Sequence, residues 1–164
     1  RSQSTPRRLK SSVETSTIRA SSITWRAGTS IAFTTVWISE IARGLDVFEL
    51  QPSAWLSQNE IDAAKLVHLD YLNVQDQQRF VWPAAFVVAR AYCDQLARSG
   101  GMTADRLSAV RNALARAERA SGAQRRSQLT QLAAQVDDDA RGSADQARVR
   151  LLASEVRDLA AARR

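Results

Sequence analysis

One histidine, one cysteine and a run of three aspartates are the side chains here whose types and spacing could do chemistry. His68 stands two residues before Asp70, and a carboxylate that orients an imidazole is the usual partner of a general base. On one helix, positions two apart point about 200° away from each other, so His68 reads as a partly buried structural histidine. Cys93 has Asp94 beside it and only Arg90, three residues earlier, to lower its thiol pKa. A buried, inert thiol is expected. A lone cysteine also excludes an intrachain disulfide and a cysteine-based zinc knot.

Asp137, Asp138 and Asp139 invite comparison with a calcium loop, and Gly142 falls at the sixth position of that loop. The chemistry then fails, because Arg141 and Arg148 occupy the fifth and twelfth positions, where oxygen ligands are required. Successive residues on a helix also diverge by about 100°, so the three carboxylates do not converge on one ion. The expected role is structural. In an antiparallel bundle these acids lie near Arg106, Arg141 and Arg148 and select register through exposed pairs, each worth about 0 to 1 kcal/mol. No phosphate-binding loop, dinucleotide fingerprint, nucleophile elbow or zinc helix is present. No catalytic, cofactor-binding or metal-ligating residue is assigned, and no cofactor is expected.

The net charge of +6 suggests nucleic acid until it is located. Residues 1–30 carry +5 of it, which leaves residues 31–164 almost neutral. The 23 basic residues are nearly all arginine, and beyond residue 92 they alternate with acids and have no aromatic neighbours. That pattern argues against nucleic-acid binding by the folded part. The longest apolar stretch, residues 80–89, is interrupted by Pro83 and is far shorter than the ~20 residues of a transmembrane helix.

The elements that must hold any site divide at the last aromatic residue. All ten aromatic residues lie at or before Tyr92. Residues 1–30, rich in Ser, Thr and Arg, read as a disordered basic arm or linker with the composition of a transit peptide but no amphipathic stripe. Residues 31–101 read as an aromatic-rich helical region. Across the boundary of the two, residues 23–38 alternate as a hairpin would, yet Phe33, Trp37 and Ile41 recur at helical spacing, and a helix over residues 34–45 is the preferred reading. Ser57 and Glu60 form a capping box that starts a helix running to about Leu72, with Ile61, Ala64, His68 and Tyr71 on one face. Pro83 fits the first turn of the next helix, which Gly100 ends. That helix is apolar almost all round and is expected at the centre of the fold.

Residues 102–164 read as three helices. Thr103 starts the first, with the stripe Leu107, Val110, Leu114 and Ala117. Ser121 with Gln124 starts the second, with Leu129, Leu132, Val136 and Ala140. Ser143 with Gln146 starts the third, with Val149, Leu152, Val156 and Leu159. The loops are short enough to force antiparallel neighbours. The fold class expected is all-α, an antiparallel bundle of five to six helices ending in an up-down-up segment. Three helices with such short stripes are marginal alone, so they should dock on residues 86–96 or on another partner surface.

The stretch RNALARAERASGAQRRSQLTQLAAQVDDDARGSADQARVRLLASEVRDL resembles the FIMAH-type helical module of secreted bacterial proteins. The resemblance covers about residues 107–160 and rests on Gln128-Leu129, Val136, Ser143-Ala144 and Gln146-Ala147. It implies an extracytoplasmic accessory module without catalytic residues of its own. The leading expectation is a non-catalytic interaction or accessory domain, the C-terminal part of a larger bacterial protein, whose partner is another protein or an upstream domain of the same chain. Two alternatives stand beside it: a hydrolase fragment to which His68 or Asp70 contributes, and an adaptor whose basic arm binds acidic membrane or nucleic acid.

Overall fold

The computed structural model describes the backbone of residues 35–40 and 44–47, and backbone and side chains of residues 48–67 and 80–162. The arm at residues 1–30, the alternating segment before Thr35, and His68, Asp70, Tyr71 and Leu72 lie outside the described residues. The described chain is mainly helical, in agreement with the expected class. It opens with a hairpin, β1 (Thr35–Glu40) and β2 (Gly44–Glu49), paired antiparallel with Trp37 opposite Val47 and Val36 opposite Phe48.

This hairpin corrects the helix expected over residues 34–45. The hairpin weighed against that helix was a different one, over residues 23–38 and mostly outside the described residues; here the β-branched TVWISE pairs with GLDVFE, a strand that the sequence reading did not foresee. The register sets aromatic against β-branched residues at successive positions, a combination that sheets favour.

Helix α1 (Gln58–Ala64) begins as its capping box requires. The Glu60 amide donates to Ser57 Oγ at 3.2 Å, and the Ser57 amide donates to Glu60 Oε2 at 2.7 Å. It ends eight residues short of Leu72. The Leu66 and Val67 amides turn to carbonyls three residues back, which tightens and closes the last turn. The buried residues are Ile61, Ala63 and Val67, so the face against the bundle is rotated from the one expected through Ala64 and His68.

Helix α2 (Phe86–Ser99) starts later than expected, after Pro83 and not around it. Proline disfavours helical backbone in the residue before it, and Ala85, the N-cap, is itself extended. At the other end Gly100 adopts φ +64°, the left-handed cap that glycine takes most readily. Helices α3 (Ala104–Arg119), α4 (Gly122–Asp139) and α5 (Gln146–Ala161) follow, with a single 3₁₀ turn at Ala140–Gly142 between the last two. Every residue of the three expected stripes is buried.

Their caps differ in detail. Thr103 accepts from the Arg106 amide as expected, whereas Ser121 occupies the N-cap position without a side-chain bond. Asp145, not Ser143, caps α5 by accepting from the Arg148 amide at 3.2 Å. Ser143 is drawn elsewhere, because its hydroxyl donates to the Gly101 carbonyl at 2.5 Å. The two turns meet so closely that a Cβ on Gly101 would stand 2.8 Å from both Asp145 Cβ and Leu96 Cδ2.

The core is one cluster shared by α2 and the three helices after it. Phe86, Ala89, Cys93 and Leu96 pack with Leu107, Val110, Leu114, Leu129, Val136, Val149, Leu152 and Val156. Helix α2 packs against α3 and α5, α4 packs against the same two, and α3 does not pack on α5 among the described residues. The result is a closed ring of four helices, with α1 laid on the outside of α2. The docking of the tail on residues 86–96 is therefore present.

The three aspartates at the end of α4 each face a different cation. Asp139 accepts from Arg106 Nε at 2.6 Å, Asp138 lies 3.6 Å from Arg141, and Asp137 pairs with Arg157. Arg106 and Arg141 are the expected partners. Arg148 is not one of them, because its guanidinium turns back to Asp145.

Candidate functional site

Of the sequence candidates for catalysis, Cys93 lies among the described residues and is not placed for it. Cys93 is fully buried in the core, and burial pushes its thiol up to about 12, with the Asp94 charge adding to the effect and Arg111 and Arg90 opposing it. Such a thiol is neither ionised nor accessible at neutral pH. A thiol-specific reagent added to the native chain should label Cys93 only at the rate of global unfolding. Rapid labelling of folded protein, followed spectroscopically, would contradict that placement.

The surface feature that stands out lies between α1 and α2. A groove of about 240 Å³ is floored by Ala63, Val88 and Ala91 and walled by Leu56, Trp82 and Tyr92. Trp82 is its exposed aromatic wall, and Trp55 is the chain neighbour of the lining residue Leu56. At Ser53 and Leu56 the backbone bonds reciprocally, and the Trp55 amide donates to Ser53 Oγ at 3.2 Å, a tight turn that leaves Trp55 85% exposed. Residues 80–84, which belong to no helix or strand, lead into α2, with Val81 82% and Trp82 40% exposed. Folding normally buries such side chains, and the exposed Trp82 marks its wall of the groove as a contact surface.

Polar contacts brace the groove. Both nitrogens of the Arg98 fork donate to Glu60, at 2.8 and 2.6 Å, so the capping carboxylate of α1 also ties it to α2. Asn59 donates to Asp94 at 2.8 Å, and Arg111 on α3 donates to the other oxygen of Asp94 at 2.9 Å. A single chain of contacts thus runs from α1 through α2 to α3. Burial pushes the Glu60 carboxyl up, but bonds from Arg98, the Ser57 amide and Gln95 outweigh it and hold the pKa at about 2.

The sign of the consequence follows from linkage. A carboxylate lowered by folding contributes stability that is present above its ordinary value of 4.5 and is lost as pH falls towards about 2. The urea midpoint of the wild type should therefore fall over that acid window, and Glu60→Gln should remove most of the dependence. An unchanged acid dependence in Glu60→Gln would show that the fork contributes nothing.

The groove's chemistry is that of a binding surface. Glu60 stays ionised with its oxygens occupied, and Tyr92 is pushed up by burial and by the Glu155 charge, against the pull of Arg148. Neither is poised to exchange a proton near neutral pH. The volume is below the roughly 300 to 1,000 Å³ of small-molecule pockets, and suits one or two apolar side chains.

A larger notch of about 380 Å³ at the start of α4 is lined by Ser121, Gly122, Arg125 and Arg126. It is less able to select a ligand, because Arg125 lies over the Phe86 ring, 5.0 Å from its centroid.

His68 and Asp70 lie outside the described residues, so nothing joins them to the groove. Sequence reasoning missed the groove and its bracing. The signals available were Trp55 and Trp82, each close to a proline, and Glu155 set on the apolar flank of α5 between Leu152 and Leu159. The class the fold defines is a four-helix ring carrying an outer helix and a hairpin. Compared with known proteins, the chain matches no family model, no curated protein and no solved structure.

Proposed function

We propose that this chain is a non-catalytic interaction domain that takes an apolar or aromatic side chain of a protein partner into the groove between α1 and α2. The observation that carries this reading is the exposed Trp82 on a groove braced by part-buried and exposed polar contacts. Aromatic anchors in preorganised pockets dominate protein interfaces, because little conformational freedom is lost when they are covered. The partner is another protein, or an upstream domain of a larger bacterial chain in which this unit is the C-terminal accessory module. An extracytoplasmic setting accords with the FIMAH-like pattern of residues 107–160. No helix among the described residues is long and apolar enough to cross a membrane.

The test is a photo-crosslinking residue at position 82, recovery of the adduct, and titration of the purified partner. The expected result is a protein adduct whose affinity falls by about tenfold or more with Trp82→Ala, the range of an interface anchor. Adducts confined to lipid, or an affinity indifferent to Trp82, would refute the proposal.

A further inference from the structure

Glu155 is the one charged side chain that is buried among the described residues, 7% exposed on α5 between Leu152 and Leu159. Its Oε1 accepts from the Ala85 amide at 2.8 Å, a bond between positions 70 residues apart. Among the described residues it forms no ion pair. A buried acid without a cation costs stability, and an apolar side chain of similar volume is often the more stable choice. Packing of α5 therefore does not account for a carboxylate at this position. What it contributes is an acceptor at the start of α2.

That start has no side-chain cap of its own. Ala85 is the N-cap residue of α2, with φ −146° and ψ 142°, and an alanine side chain has no oxygen with which to cap a helix. Its carbonyl already accepts the Val88 and Ala89 amides, so the bond from its amide to Glu155 holds the residue from the other side. Three residues earlier stands Trp82, and the stretch between is stiff. The Pro83 ring fixes its own φ at about −65° and disfavours helical backbone at Trp82. Residues 81–84 are exposed and, among the described residues, make no backbone hydrogen bond. On the α2 side, Ala85 is therefore the first point at which the backbone of this stretch is tied down.

We infer that Glu155 is a positioning residue for the groove between α1 and α2: by holding the Ala85 amide it fixes where α2 begins, and so where the Trp82 wall stands. Glu155 does not itself line the groove, and it acts through that bond. The inference rests on the groove being the binding surface proposed above. An anchor already held in place loses less conformational freedom when a partner covers it, and it binds more tightly for that reason. Stability given up on α5 thus serves contact at the groove.

The experiment compares wild type, Glu155→Gln and Glu155→Leu as full chains at neutral pH, by amide hydrogen exchange at Ala85 and Leu114 and by the indole N–H resonance of Trp82. Glutamine keeps an acceptor for the Ala85 amide, and leucine removes it. In Glu155→Leu, Ala85 protection should fall by about tenfold or more while Leu114 keeps its own, and the Trp82 resonance should move. Glu155→Gln should leave both as in the wild type. Affinity for the protein partner recovered by crosslinking at position 82 should follow the same order, about tenfold weaker in Glu155→Leu and retained in Glu155→Gln. A Trp82 resonance indifferent to Glu155→Leu, or affinity that falls only in step with Leu114 exchange, would overturn the positioning role. So would a wild-type Ala85 amide that exchanges as fast as the unbonded Ala84 amide, a result that needs no variant to fold. The exchange and resonance readings need no partner, so they fail separately from the proposed function.

Discussion

Leu114→Ala should lower the stability of the bundle by about 2 to 5 kcal/mol, read as a fall in the urea midpoint with little change in slope. Leu114 is fully buried on α3, in the stripe that faces the shared interior of the ring. The cluster that holds it draws on α2, α4 and α5 as well as α3, so no single helix can shift to fill the space without disturbing the rest. The lost transfer energy therefore adds to a cavity that does not collapse. Small domains have a total stability of about 5 to 15 kcal/mol, so this one substitution removes a large share. A loss below about 1 kcal/mol would place Leu114 at a compliant surface site, contrary to the packing described here.

A chain cut back to residues 102–164 should unfold at lower denaturant and less cooperatively than the full chain. In the ring, α3 and α5 are joined through α2 and α4 only. Removal of α2 takes away Phe86, Ala89, Cys93 and Leu96 and leaves the sides of α3 and α5 that covered them open to water. Burial of each large apolar side chain contributes about 1.5 to 3 kcal/mol, and the newly exposed partners lose as much again. Set against a marginal net stability, that loss is enough to melt the remaining three helices. Circular dichroism of the two chains in urea makes the comparison. Equal midpoints would show that the tail is self-sufficient and that α2 merely rests on it.

The features legible in the sequence were those whose causes are local. Ser57 and Glu60 stand three residues apart, and the box they form depends on nothing further away. Gly100 ends α2 because of its own backbone freedom, and the stripes of α3, α4 and α5 follow from the 3.6-residue period. The hairpin at residues 35–49 was not foreseen, because the spacing of Phe33, Trp37 and Ile41 suggested a helix there and only the pairing with residues 44–49 makes the segment a strand. Ser143 looked like the cap of α5 until tertiary contact drew its hydroxyl to Gly101, which left Asp145 to do the capping.

The candidate site was not legible, for a related reason. Its bracing joins Asn59 to Asp94 and Glu60 to Arg98, residues 35 and 38 positions apart, and the bond from the Ala85 amide to Glu155 spans 70. No window of the sequence contains both ends of such a contact. The exposure of Trp55 depends on the turn at Ser53, and that of Trp82 on where α2 begins. An aromatic residue in sequence is read as core by default, and only the folded chain shows which of them are left outside.

The central claim is that these exposed aromatics serve contact and not folding. The most direct measurement pairs a thermal melt with a binding titration for Trp55→Ala/Trp82→Ala against the purified partner recovered by crosslinking at position 82. A melting temperature close to that of the wild type together with lost affinity is the predicted result. A collapse of the melt, or affinity that survives both substitutions, would contradict it.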